Sequence, residues 1–172
     1  MSLHFLIRTA TEKDIDSIVA MRLQLQEHLL ASNSNVWQLS TKRIAALPMF
    51  YKSAIEDQHC HLVIAENEKS GAIIGMGSGK IIEHEEYLPN KSGKIDDVWV
   101  EPKCRKKGLC KKIIYELVKF FEPNGIDTIV LDYANGNHEA EAVWRSLGFH
   151  EVLTISTAKL DEVQLQCRSV RT

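Results

Sequence analysis

A strand that runs into a basic, glycine-bearing turn and then into an amphipathic helix constrains this chain more than any other feature. Lys94–Val100 is rich in Val, Ile and Trp and stops at Glu101-Pro102, which is the composition and ending of a strand. Ile113, Ile114, Leu117, Val118 and Phe121 then recur at the three-and-four spacing of one helix face. Between them lies Arg105-Lys106-Lys107-Gly108-Leu109-Cys110. A helix start leaves backbone N–H groups without intrahelical partners and carries the positive end of the helix dipole. A turn with glycine and three cations at that place is therefore an anion cradle, best suited to a pyrophosphate.

The remaining sequence limits whose pyrophosphate it is. At 172 residues the chain suits one domain with a real core. A net charge of −2 gives no global case for nucleic-acid binding, so any basic site is local. The cysteines (Cys60, Cys104, Cys110, Cys167) are scattered without a CxxC pair, the pattern of free thiols in a reducing cytosol. The N-terminus shows no charged-then-apolar leader, and no run of about 18 apolar residues suits a bilayer, so a cytoplasmic protein without membrane contact is expected. In that setting the Asn90-Lys91-Ser92 sequon is idle.

Periodicity organises the rest. Phe5–Arg8 is a first strand, and Thr11-Glu12-Lys13-Asp14 has the form of a capping box ahead of a helix striped by Ile15, Ile18, Val19, Met21 and Leu25. Ser32–Ser40 is a polar break, and Thr41–Ile55 a second, less regular helix. His61–Ala65 and Ala72–Ile82 flank a polar turn at Asn67–Gly71, a hairpin signal. Glu83–Gly93 is a polar connection to the strand Lys94–Val100, and the helix Gly108–Phe121 follows. Ile126–Tyr133 is expected as a strand, Asn137–Leu147 as a short helix and Phe149–Leu160 as a long final strand. Asp161–Thr172 carries no assignment. The sum is one α/β domain with a mixed sheet.

Two of these segments resemble signatures of the GNAT family of N-acetyltransferases. Val100-x-Pro102 followed by Arg105-x-x-Gly108-x-Cys110 is similar to that family's (Arg/Gln)-x-x-Gly-x-(Gly/Ala) motif. Asn137-x-x-Ala140-x-x-x-Trp144-x-x-x-Gly148-Phe149 resembles its Asn-x-x-Ala-x-x-x-Tyr-x-x-x-Gly-Phe segment. With the opening strand and Thr-capped helix, the resemblance runs from about Phe5 to Leu160. It implies a central mixed, mostly antiparallel sheet with a splay between the fourth and fifth strands and about four flanking helices. The single domain would span 1–172, with its core at about 5–160 and a tail at 161–172.

The resemblance also implies acetyl-CoA as cosubstrate. Arg105, Lys106, Lys107, Gly108, Leu109, Cys110 and Lys111 would hold the pyrophosphate, largely through backbone N–H groups. Val98 and Val100 would meet the pantetheine amides in strand fashion, Asn137 would bond the cofactor arm, and an N–H near Val100 would face the thioester oxyanion. The acceptor implied is a small-molecule or peptide amine, and homodimer formation is an option. Cys110 stands where Gly or Ala is usual, a small change. Trp144 stands where relatives carry the tyrosine that protonates the departing sulfur. An indole N–H is no usable acid, which shifts that role to water or Tyr133, or leaves an acyl-CoA-binding domain without transfer as the alternative.

A primary amine is mostly protonated at neutral pH, with a pKa of about 10, so a general base is required. Asp96 and Asp97 occupy the strand positions where many relatives carry acidic residues. Strand alternation sends the two to opposite faces, and Asp96 is favoured because it shares a face with Val98 and Val100. Glu83, Glu85 and Glu86 compete, as bases or as selectors of a cationic acceptor such as a polyamine or aminoglycoside. Trp37, Phe50 and Tyr51 are pocket or core aromatics. Gly75-Met76-Gly77-Ser78-Gly79-Lys80 departs from a Walker loop at Ile74 and Ile81 and is a glycine-bearing strand near the acceptor cleft. His59-Cys60-His61 alternates across a strand, so no metal site is expected there.

Overall fold

β1 (Phe5–Thr9), β2 (Cys60–Asn67), β3 (Ile73–Glu83), β4 (Lys91–Val100) and β5 (Ile129–Leu131) lie in that order across one sheet. β1 to β4 pair antiparallel and β5 joins β4 in parallel, which makes the sheet mixed as expected. The computed structural model describes residues 4–33 and 38–168, so Trp37 lies outside the described residues. Two compact units make up the chain, Met1–Asn137 and His138–Thr172.

The first unit holds the sheet with α1 (Ile15–Ser32), α2 (Thr41–Glu56) and α3 (Leu109–Phe121). The capping box forms between Thr11 and Asp14. Asp14 Oδ2 accepts from the N–H of Thr11 at 2.8 Å and from its hydroxyl at 2.9 Å. Arg8 grips both oxygens of the same carboxylate, at 2.8 and 2.9 Å. α2 is capped by Ser40, whose Oγ accepts from the Arg43 N–H at 3.1 Å. The hairpin between β2 and β3 closes at Asn67, whose carbonyl accepts from the N–H groups of Ser70 and Gly71.

The two sheet faces are packed by different means. Ile18 and Met21 of α1 and Leu47 and Tyr51 of α2 form one core with Leu62, Ile64, Met76 and Trp99 of the sheet. On the other face α3 seats Ile113, Leu117 and Phe121 against β3. There β3 presents Gly75, Gly77 and Gly79 at strand period two, and a Cβ at Gly79 would stand 2.9 Å from Phe121 Cζ. At Gly77 it would collide with Ile113. The glycines of that segment thus let a helix close on the sheet.

The second unit holds α4 (His138–Ser146) and α5 (Leu160–Arg168). α4 ends in a Schellman motif: Gly148 N–H reaches Arg145 O, Phe149 N–H reaches Trp144 O, and Gly148 takes φ 92°. Two expectations are corrected. β5 spans only Ile129–Leu131 within the expected Ile126–Tyr133. No strand forms over the expected Phe149–Leu160; residues 149–159 are irregular, with Val152, Leu153 and Ile155 exposed. Strand composition expresses itself only where a neighbouring ladder and a buried face receive it. α5, in the stretch without assignment, is exposed along its described length.

Candidate active site

β4 carries a bulge at the acidic pair. Gly77 stands opposite Val98 and Gly79 opposite Ile95, so Ser78 alone faces both Asp96 and Asp97. The extra residue breaks the alternation of the strand. Ser78 Oγ accepts the N–H of Asp97 at 3.1 Å, which satisfies the backbone donor that the ladder no longer pairs. Both carboxylates consequently line one cavity of 410 Å³, on the side of α1 and α2. The expectation of opposite faces is overturned, and with it the argument that favoured Asp96.

The two carboxylates differ in what holds them. Asp97 accepts from Tyr51 Oη at 2.8 Å on Oδ2 and pairs with Arg22 Nε at 3.1 Å through Oδ1. Burial raises its pKa above the usual carboxylate range, with the Arg22 charge and the Tyr51 hydroxyl opposing. Burial likewise pushes the Tyr51 hydroxyl up, reinforced by the Asp97 charge, so it stays a donor. Asp96 is exposed and sits between two ammonium groups, Lys80 at 2.9 Å and Lys94 at 3.7 Å. Lys94 is shared with Asp132 at 2.7 Å.

From these residues β4 continues, among the described residues, with no strand beside it on the side of β5. The parallel ladder with β5 covers Gly93–Ile95 against Ile129–Leu131 and ends there. Val98 and Val100 pair with Gly77 and Gly75 of β3, and on the side of β5 their backbone has left the ladder. After Val100 a short turn, Pro102–Cys104, leads to the cradle. Lys106 takes φ 59° and Gly108 φ 80°. These left-handed residues fold the backbone into a concave turn ahead of α3, where a Cβ at Gly108 would meet nothing within 4 Å. Lys106, Lys107, Gly108 and Lys111 are exposed, whereas Leu109 inserts its side chain into the core and leaves only backbone to the turn. Arg105 Nε donates to Val100 O at 3.0 Å, its guanidinium 4.6 Å from the Trp99 ring, which ties strand end to cradle.

The other expected residues are spread out. Tyr133 is half-buried two positions beyond β5, and Asn137 is buried, its N–H bonded to Ala134 O at 3.0 Å. Trp144, in the second unit, packs edge-on against Phe149 at 5.6 Å. Glu83, Glu85 and Glu86 are exposed and outside the cavity lining; Glu83 is tied to Lys91 at 3.2 Å. Phe50 and Tyr51 do line the cavity. His59 pairs with Asp57 and His61 stacks on Phe120, so the two histidines serve different neighbours.

Sequence reasoning missed Arg22, Arg43 and Ser78, all of which line the cavity. Arg22 offered a signal, a lone cation between Met21 and Leu23 on an otherwise apolar helix stretch. Ser78 and Arg43 offered none, because a bulge partner and a pocket rim are matters of register and long-range packing.

A model of the acetyltransferase (GNAT) family matches residues 22–149. No curated protein sequence matches the chain. Among solved structures the chain is similar to a tetramutant of the BH1408 protein from Bacillus halodurans, with a TM-score of 0.78, 19% identity, and coverage of 90% of this chain and 99% of that one. It is also similar to an aminoglycoside N-acetyltransferase in complex with CoA (TM-score 0.72, 18% identity, 92% and 96% covered). A third is a predicted acetyltransferase with acetyl-CoA from Clostridium acetobutylicum (TM-score 0.72, 20% identity, 92% and 98% covered). At such identities the likeness is one of fold.

Proposed function

The chain belongs to the acetyltransferase (GNAT) family, and from that premise we propose that it transfers the acetyl group of acetyl-CoA to a primary amine of a small molecule or peptide, with Asp97 as general base. The observation that carries this reading is the course of β4. One strand presents a half-buried carboxylate to a cavity, then a backbone edge that the ladder with β5 leaves uncovered, then a positive-φ turn suited to an anion. The CoA and acetyl-CoA held by two of the similar structures support the cosubstrate.

The cradle fits a pyrophosphate. Its concave turn is built by residues at positive φ, opens to solvent at Gly108 and is flanked by lysines. Residues Arg105 to Lys111 would hold the pyrophosphate, Val98 and Val100 the pantetheine amides, and Asn137 the arm. When bound, acetyl-CoA supplies the acetyl group as a thioester. Asp97 removes the proton of the bound ammonium; Arg22 and Tyr51 fix the carboxylate while each oxygen keeps a lone pair for that task. A base whose pKa is lifted by burial is better matched to neutral pH than an ordinary carboxylate. The nitrogen then adds to the thioester carbon while a backbone N–H near Val100 meets the oxyanion; as the carbon–sulfur bond breaks, the nitrogen gives its second proton to water and the sulfur takes one from Tyr133 or water.

Calorimetry with acetyl-CoA and a thiol-release assay over a panel of amines test this. Binding together with turnover of at least one amine is expected; no binding at millimolar cosubstrate would sink it. A second reading, an acyl-CoA-binding domain without transfer, draws on Trp144, whose indole replaces the usual acid. Tight cosubstrate binding with no amine turned over would favour it.

A further inference from the structure

Charge pairing inside the cavity leaves one cation over. Arg22 is matched by Asp97 at 3.1 Å and Lys80 by Asp96 at 2.9 Å. Asp57 accepts from the His59 N–H at 2.8 Å and from the Cys60 thiol at 3.6 Å. Arg43 has no carboxylate partner among the described residues, and its guanidinium lies 4.2 Å from the centre of the Phe50 ring. Its charge acts on both Tyr51 and Asp97, so it stands within electrostatic reach of the base. An arginine laid on an aromatic face is oriented in advance, and its outer N–H edge suits the paired oxygens of a carboxylate or phosphate.

We infer that the acceptor is a small amine that also carries an oxyanion, with Arg43 gripping the oxyanion while the amine meets Asp97. This rests on the acetyltransferase reading of the same cavity. It differs from the polycation suggested by Glu83, Glu85 and Glu86. Those residues lie outside the lining, where Asp57, Asp96 and Asp97 are matched in number by Arg22, Arg43 and Lys80, so a polyamine would find no excess of negative charge there. The volume of 410 Å³ lies toward the small end of ligand cavities, which run about 300–1,000 Å³, and suits a compact solute. One compact molecule with opposite charges at its two ends would answer both Arg43 and Asp97.

The test uses matched amines that differ only in the anion: an amino carboxylate against its amide, and an amino-sugar phosphate against the free amino sugar. Binding is measured by calorimetry, and turnover by thiol release with acetyl-CoA. The anionic member of at least one pair is expected to bind about 10- to 100-fold tighter, and which pair responds tells carboxylate from phosphate. Arg43→Gln should bring that ratio close to one, and Arg43→Lys should restore part of it. Arg43 is exposed and only its backbone N–H takes part in the cap of α2, so both variants should fold. Equal binding within both pairs, tighter binding of the uncharged members or of a polyamine, or a preference unmoved in Arg43→Gln would overturn the inference. Arg43-dependent binding without turnover of any amine would instead overturn the transferase reading and leave the oxyanion site standing.

Discussion

Two aspartates of this chain each meet an arginine and a hydroxyl group, yet their pKa values move in opposite directions. Asp14 is held by Arg8 through both oxygens and by the N–H and hydroxyl of Thr11, and its pKa falls to about 2, the Arg8 hydrogen bonds being the main cause. Asp97 has Arg22 and Tyr51, one on each oxygen, and its pKa rises because burial outweighs both partners. Hydrogen bonds that saturate a carboxylate stabilise its charge. A carboxylate taken out of water with fewer donors keeps a high affinity for a proton. The first arrangement fastens β1 to the start of α1; the second is suited to accept a proton in a cavity.

The largest effect that separates the two is in catalysis. Asp97→Asn should lower kcat by about 10²–10⁴-fold while acetyl-CoA binding stays close to that of the parent protein. Asp14→Asn should leave the turnover of folded molecules unchanged. If both substitutions slow the reaction equally, or if Asp96→Asn alone abolishes it, Asp97 is not the base.

Stability should show the reverse order. At neutral pH, Asp14→Asn should cost about 1–2 kcal/mol, from a lowered pKa converted at about 1.4 kcal/mol per unit and discounted for the partial exposure of Arg8. The sign is that of a depressed carboxylate. Its contribution is fully present above the ordinary value of 3.8 and is lost as the pH falls toward about 2. Denaturant titrations of the parent and of Asp14→Asn between pH 7 and pH 2 should therefore converge at the acid end. Parallel curves down to pH 2 would show that the ion pair is not what Asp14 contributes.

The difference between the two sites also marks how far the sequence can be read. Thr11 to Asp14 is a local spacing with a local consequence, and it was legible, as were the hairpin, the order of elements from β1 to α4 and the glycine-bearing turn ahead of α3. The partners of Asp97 are not local: Tyr51 is 46 positions away, and Arg22 lies on a different helix. Their meeting depends on how α1 and α2 cross the sheet. A bulge is harder still, since Ile95-Asp96-Asp97-Val98 would alternate normally without one added residue against Ser78. The segment 149–159 shows the opposite failure, strand-like composition without a strand. Composition states what a run can do, and neighbours decide whether it does so.

The smallest effects come from removing one hydroxyl from each site. Tyr51→Phe deletes a donor that lowers the Asp97 pKa, so the acid limb of kcat against pH should move to higher pH. The ring remains to fill the core, so stability should change little. Thr11→Ala deletes the equivalent donor at Asp14, where the Thr11 N–H and both Arg8 bonds remain. It should cost about 0.5–1.5 kcal/mol, less than Asp14→Asn, and should leave the kcat profile in place. The acid loss of stability should be smaller and should be complete at a higher pH, because the folded pKa of Asp14 relaxes toward its ordinary value while the onset near 3.8 stays in place. One chemical change thus produces a kinetic shift at one carboxylate and a stability shift at the other. If Thr11→Ala moved the kcat profile, or if Tyr51→Phe left it fixed, the division between a fastening and a proton-accepting carboxylate would be lost.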